Sequence, residues 1–288
     1  MTSIGTDLPA PVAAALSTAV PDPGTRTATL AAGLDWSSIA WGEAGDPPLL
    51  LVHGVTASAR IWWRVGPALA AGGRRVIAVD LPGHGRTSGW LGHHRFRDNA
   101  VDLAAWIQAA GLATAPLQVV GHSYGAMTAA ALPLAGFRPA RLVLLDPPAV
   151  PLARISLMAS DPSEQPSSDL AELLETLGAN NPDWPAGDVE AKAEALTELN
   201  HDAARAILLE NGDWDGGLEA LSDPAAANVP TWIVRGDPAA GSLVPDAALA
   251  GLGAIVGGDH VITLAGAPHA PQRTHAADLV AALLTALG

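Results

Sequence analysis

Apolar and polar positions follow two rhythms along this chain. Short, mainly apolar runs recur, and each is followed within two residues by glycine, aspartate or histidine. They are Leu49-Leu50-Leu51-Val52, Arg75-Val76-Ile77-Ala78-Val79, Pro116-Leu117-Gln118-Val119-Val120, Arg141-Leu142-Val143-Leu144-Leu145, Pro230-Thr231-Trp232-Ile233-Val234-Arg235 and His260-Val261-Ile262-Thr263-Leu264. Such runs predict strands covered on both faces, as in a parallel sheet. Thr25 to Ala31 and Leu34 to Gly42, joined by a turn at Ala32-Gly33, supply two more strands, with Trp36, Ile39 and Trp41 as β-formers. Helical patterns lie between the strands: Ile61 to Ala71, Asp98 through Leu103, Trp106 and Ile107 to Gly111, Ala126 to Leu132, and Ala276 to Leu287. The alternation predicts an α/β fold, a mostly parallel eight-stranded sheet with helices on both faces.

The rhythm changes between residues 149 and 228. Acidic amphipathic segments appear around Leu170–Leu177, Val189–Leu199 and Ala203–Leu209, separated by loops at Asp161–Ser168 and Asn180–Gly187. The pattern divides the chain into a core over 25–148 and 229–288, an inserted helical cap over 149–228, and a flexible N-terminal lead-in over 1–24, rich in Pro, Ala, Ser and Thr. No internal repeat is present.

Composition narrows the chemistry. The absence of cysteine excludes disulfides and thiolate catalysis. Lys192 is the single lysine, which speaks against a Schiff base or a phosphate-binding loop. A formal net charge of −14 disfavours nucleic acid and anionic membranes as partners. No apolar run reaches the roughly 18 residues of a membrane span. Met1 to Pro23 lacks Lys, Arg and a compact apolar block, so no signal peptide is expected, and with no cysteine the expectation is a cytoplasmic protein. The expected partner is a small-molecule substrate; the sequence sets no oligomeric state.

The densest chemical signal is Gly121-His122-Ser123-Tyr124-Gly125, a G-x-S-x-G between a buried strand and a helix of small residues. A serine on so sharp a turn is held in a strained conformation that lifts its hydroxyl clear of the sheet. Flanking glycines are required because a Cβ would meet the crossing backbone. Ser123 is therefore the candidate nucleophile.

With these pieces placed, the chain resembles the α/β-hydrolase superfamily from about Thr25 to Gly288. Four segments carry the resemblance, in the family's order and at strand ends. His53-Gly54 is similar to its oxyanion loop, with Trp62 beyond. Asp80-Leu81-Pro82-Gly83-His84-Gly85-Arg86 is similar to the loop after its fourth strand. The elbow is the third segment. Gly266-Ala267-Pro268-His269 is similar to its histidine loop.

The resemblance implies that His269 is the base for Ser123, with His275 as a weaker competitor. It implies an oxyanion hole from the backbone N–H groups of Val55 and Tyr124, and structural roles for His53 and His122. It leaves the acid open. In most relatives the acid follows the strand ending at Arg235, where the matching position is Ala239 and Asp237 is the nearest carboxylate. Other relatives carry it one strand earlier, where Asp146 stands before Pro147, as in lactone hydrolases of the zearalenone-degrading type. Asp146 is taken first, Asp237 as the alternative, and Asp246 after both.

A serine, a histidine and an oxyanion hole suit acyl transfer, so the expected function is hydrolysis of an ester or lactone of a small apolar substrate through an acyl-enzyme, without cofactor. Alternatives are a C–C bond hydrolase using the same triad, or a ligand-binding protein that has lost catalysis. Trp184, Trp214, Leu157 and Met158 are candidate apolar lining from the cap. No metal is expected: His93-His94 lacks spaced partners, and no D-x-D-x-D-G loop occurs.

Overall fold

The computed structural model describes residues 7–21 and 24–288. Its strands are β1 (Thr25–Ala31), β2 (Leu34–Trp41), β3 (Pro48–Val52), β4 (Arg75–Val79), β5 (Gln118–His122), β6 (Arg141–Leu145), β7 (Ala149–Val150), β8 (Trp214–Asp215), β9 (Thr231–Arg235) and β10 (Val261–Thr263). Eight of them form one sheet in the order β1-β2-β4-β3-β5-β6-β9-β10. β2 runs antiparallel to both its neighbours, and every pairing from β4 onward is parallel. β7 and β8 pair separately.

The helices are α1 (Ala10–Thr18), α2 (Val65–Ala71), α3 (Phe96–Ala109), α4 (Tyr124–Ala130), α5 (Leu152–Ala159), α6 (Leu170–Asn180), α7 (Ala186–Thr197), α8 (His201–Leu209), α9 (Leu218–Ser222), α10 (Asp246–Val256), α11 (Pro271–Thr274) and α12 (Ala276–Leu287). Alternate residues of β3 separate the two apolar layers. Leu49 and Leu51 point into a cluster with Val65 and Leu69 of α2 and Leu279 and Leu283 of α12. Leu50 and Val52 point into one with Leu103 and Trp106 of α3 and Met127 of α4. Both faces of β3 are thus dry, which explains a run with no polar residue.

Three expectations need correction. The lead-in expected over 1–24 carries a helix at residues 10–18, and its residues 1–6 and 22–23 lie outside the described residues. Val12 buries completely among α2 and α12 residues, and that burial, in an alanine-rich segment of high helix propensity, fixes it. The helix expected from Ile61 starts at Val65, after a 3₁₀ turn at Ala59–Trp62. Pro67 then falls in the first turn, where its missing N–H costs no hydrogen bond. The elbow strand runs on through Gly121 and His122, so α4 starts at Tyr124.

The segment between β6 and β9 carries α5 to α9 and the small ribbon. Among the described residues, no helix is long and apolar enough to cross a membrane.

Candidate active site

β3 and β5 lie side by side although β4 intervenes in sequence, so the chain leaves them toward opposite edges of the sheet. Such a point opens a crevice beyond the strands' carboxyl ends. His53-Gly54 follows β3 there, and Ser123 follows β5. Ser123 has φ 56° and ψ −120°, a conformation costing about 1–3 kcal/mol for a residue with a side chain. The turn is tight enough to demand its glycines. A Cβ on Gly121 would lie 2.2 Å from the Gly125 carbonyl oxygen, and one on Gly125 would lie 2.5 Å from that of His53. The Ser123 N–H donates to the Leu145 carbonyl at 3.0 Å, tying the elbow to β6.

His269, on the loop after β10, reaches back to this serine. Its Nε2 lies 3.0 Å from Ser123 Oγ and its Nδ1 lies 2.6 Å from Asp146 Oδ2. A carboxylate only accepts, so Nδ1 carries the proton and Nε2 presents its lone pair to the hydroxyl. Asp146 is fully buried, just past β6, with φ 44°. It also accepts from Gly236 N–H at 2.8 Å, Leu243 N–H at 2.9 Å and Ser242 Oγ–H at 2.5 Å. Burial would raise this carboxyl, but the His269 hydrogen bond and charge, with the Ser242 and Leu243 donors, outweigh it and hold it below the usual range.

The other acid candidates lie elsewhere. Asp237 is solvent-facing and accepts from the N–H groups of Ala239 and Gly266. Asp246 pairs with Arg235 at 2.6 Å. His275 precedes α12 and is absent from the cavity wall.

Val55 lines the cavity together with Ser123, and Tyr124 follows Ser123 as the first residue of α4; each carries a backbone N–H. Among the described residues, neither donates to any acceptor. His53 and His122 support the turns that carry them. His53 donates from Nδ1 to the Gly54 carbonyl at 2.8 Å and accepts from Leu81 N–H at 3.1 Å. His122 donates from Nε2 to the His269 carbonyl at 2.8 Å and accepts from Gln272 at 3.2 Å, so it braces the histidine loop. Both are neutral. Burial lowers His53, and burial followed by the His269 charge lowers His122 to about 3.

A cavity of about 640 Å³, counted with its open mouth, adjoins Ser123 and His269. Its apolar wall comes from Ile61, Ile155, Met158, Leu208, Trp214 and Leu243. Met158 and Trp214 are thus where the sequence placed them. Leu157 is not: it is 66% exposed, on the outer face of α5. Trp184 is not on this wall either; it lines a separate surface hollow. Adjacent helix positions point in different directions, so one of Leu157 and Met158 had to turn away.

The sequence reading missed two polar residues of the wall, Glu164 and Arg273. Glu164 accepts from Lys192 Nζ at 2.5 Å and from the Thr56 hydroxyl. Lys192 also donates to the Thr56 carbonyl at 3.1 Å and to its hydroxyl at 2.8 Å. α7 is thereby fastened to the loop bearing Val55. Burial would raise the Glu164 carboxyl, and the Lys192 charge more than reverses it. His93 and His94 do not converge, pairing instead with Asp102 at 2.7 Å and Glu210 at 3.6 Å.

Residues 47–235 match a family model described as the alpha/beta hydrolase fold. Among curated proteins, lipase LipV of Mycobacterium tuberculosis is 42% identical over 110 residues, which are 37% of this chain and 40% of the lipase. The matches cover less than half the length of the curated relatives. Among solved structures, E-2-(acetamidomethylene)succinate hydrolase superposes with a TM-score of 0.76 at 22% identity, over 91% of this chain and 98% of that one. N-formylmaleamic acid deformylase of Pseudomonas putida superposes with a TM-score of 0.68 at 21% identity, over 92% and 100%.

Proposed function

The chain belongs to the α/β-hydrolase family, and from that premise we propose that it is a serine hydrolase cleaving a carboxylic ester or lactone through an acyl-enzyme. The observation that carries this is the continuous hydrogen-bonded line Asp146–His269–Ser123, at 2.6 and 3.0 Å, beside two unengaged N–H groups. Likeness to a lipase over 110 residues supports the ester class.

Each residue has a step. His269 Nε2 takes the Ser123 proton as Oγ attacks the acyl carbon. The carbonyl oxygen becomes an oxyanion and accepts from Val55 and Tyr124, each donor contributing about 3 kcal/mol in the transition state. Asp146 remains ionised and stabilises the imidazolium across their hydrogen bond. The imidazolium returns the proton to the leaving oxygen, and the C–O bond breaks. Water then attacks the acyl-enzyme, again giving its proton to Nε2, and Ser123 is regenerated. In a lactone the leaving oxygen stays tethered to the acyl group. Residues 149–228 act as a cap that bounds the cavity and selects the substrate.

The test is rapid mixing with a 4-nitrophenyl ester. A burst of about one equivalent of nitrophenolate per site is expected, followed by slower turnover, and both vanish in Ser123→Ala. Turnover that survives this substitution would overturn the assignment. An intact line from acid to nucleophile speaks against a binding protein with lapsed catalysis.

A further inference from the structure

The cavity that holds Ser123 also presents an unmatched cation. Glu164 and Arg273 line it, and Lys192, Arg64 and Asp188 lie close behind them, so that three positive side chains meet two carboxylates. Lys192 pairs with Glu164 at 2.5 Å, and Arg64 pairs with Asp188 at 2.8 Å. Arg273 is left over. It lines the cavity, and among the described residues its guanidinium has neither a hydrogen-bond acceptor nor a carboxylate within 4 Å.

The guanidinium is nevertheless held in place. It lies 4.2 Å from the ring centroid of Trp184, which covers one face and leaves the N–H edges open. Its backbone is pinned as well, because Arg64 Nη2 donates to the carbonyls of Gln272 and Arg273 at 3.0 and 2.6 Å. Burial pulls its pKa down, against the charges of Glu164 and Asp188. A planar fork, partly stripped of water and fixed beside a reactive serine, matches a carboxylate through two parallel hydrogen bonds. Glu164 would repel such an anion were it free, but Lys192 and Thr56 already occupy it. The chain's net charge of −14 offers an anion no general attraction, so recognition must be local.

We propose that Arg273 binds a carboxylate carried by the substrate, so that the preferred ester or lactone has an anionic group separated from the scissile carbonyl by an apolar spacer. This rests on the serine-hydrolase reading for the word substrate, and its test separates the two. Monomethyl glutarate, an anion, and dimethyl glutarate, its neutral counterpart, are titrated calorimetrically into Ser123→Ala protein. The anion should bind at least about tenfold more tightly, through the bidentate pair. That preference should collapse in Ser123→Ala/Arg273→Gln and return in part with Arg273→Lys, whereas a guanidinium that merely packs on Trp184 would leave the ratio unmoved. Equal affinities, no detectable binding of the anion, or a preference that survives Arg273→Gln would each overturn the proposal. The first comparison needs no change at Arg273 and so does not depend on the variant folding. Wild-type protein is assayed in parallel with mono-(4-nitrophenyl) glutarate, an anion, and methyl 4-nitrophenyl glutarate, its neutral counterpart. A binding preference without any turnover refutes the hydrolase and leaves the anion site standing; turnover without a binding preference does the reverse.

Discussion

His269 Nδ1 lies 2.6 Å from Asp146 Oδ2, and the carboxylate it meets has no exposure to solvent. The imidazole is thus oriented by an acid at the end of β6, with Asp237 beyond β9 facing water instead. Asp146→Asn should reduce kcat on an aryl ester by about a thousandfold or more, because the amide favours the wrong tautomer of His269. Asp237→Asn, which keeps one of the two oxygens that accept from Ala239 and Gly266, should change it less than about threefold. A large loss at Asp237 and a small one at Asp146 would reverse the assignment.

Acid should weaken the fold through buried neutral histidines. Unfolded, each imidazole titrates near 6.5; folded, burial lowers His84 and His122 to about 3. Between those values the unfolded chain binds protons that the folded chain refuses. Their contribution is therefore complete above about pH 6.5 and is lost as pH falls toward 3. One unit below 6.5, each costs about 1.4 kcal/mol. Urea unfolding followed from neutral to mildly acidic pH should show this slope, to which His53 adds in the same direction, and His84→Gln should make it shallower. An unchanged slope would rule out His84 as a source.

The elbow glycines should be intolerant of a single methyl group. Gly121→Ala and Gly125→Ala drive a Cβ to within 2.2 and 2.5 Å of backbone oxygens, of Gly125 in α4 and of His53 just past β3, that cannot retreat without parting α4 from the sheet. Each should cost at least about 3 kcal/mol or abolish soluble expression. Gly45→Ala, which meets nothing within 4 Å, should be neutral in the same melting experiment.

Lys192 should couple stability to turnover. Lys192→Met strands the Glu164 carboxylate and frees Thr56, next to Val55, at a cost of about 2–4 kcal/mol. A lower kcat should accompany it. Adding Glu164→Gln should recover part of the stability, and a double-mutant cycle measures the coupling. Strict additivity would mean that the pair contributes nothing.

The core strands were legible because each face of the sheet is dry, leaving unbroken apolar runs with breakers at both ends. Ser123 and His269 stood out because their loops require glycine and proline at fixed offsets. The acid stood ambiguous. An aspartate at a strand end also serves as a turn cap, as Asp237 does, and only the path of the histidine loop distinguishes the two. α1 escaped notice because it buries one residue fully, Val12, and packs Leu16 only in part, which leaves little amphipathic pattern in an alanine-rich segment. Glu164 and Arg273 escaped because their meaning lies in pairings made or missed across more than 25 positions, which no local spacing displays. For Leu157 and Met158 the local helix phase, rather than composition, decided which side chain reaches the cavity.

The burial of Lys192 has a practical consequence. Reagents that acylate amines ordinarily decorate a protein's surface at many lysines, yet here the single lysine is 3% exposed and engaged on three sides. The folded chain should therefore resist lysine-directed labels, and acylation at residue 192 should proceed only in molecules where α7 has parted from the Thr56 loop. The protein carries its own chemical clock for that opening, read by the mass gained on one peptide over time.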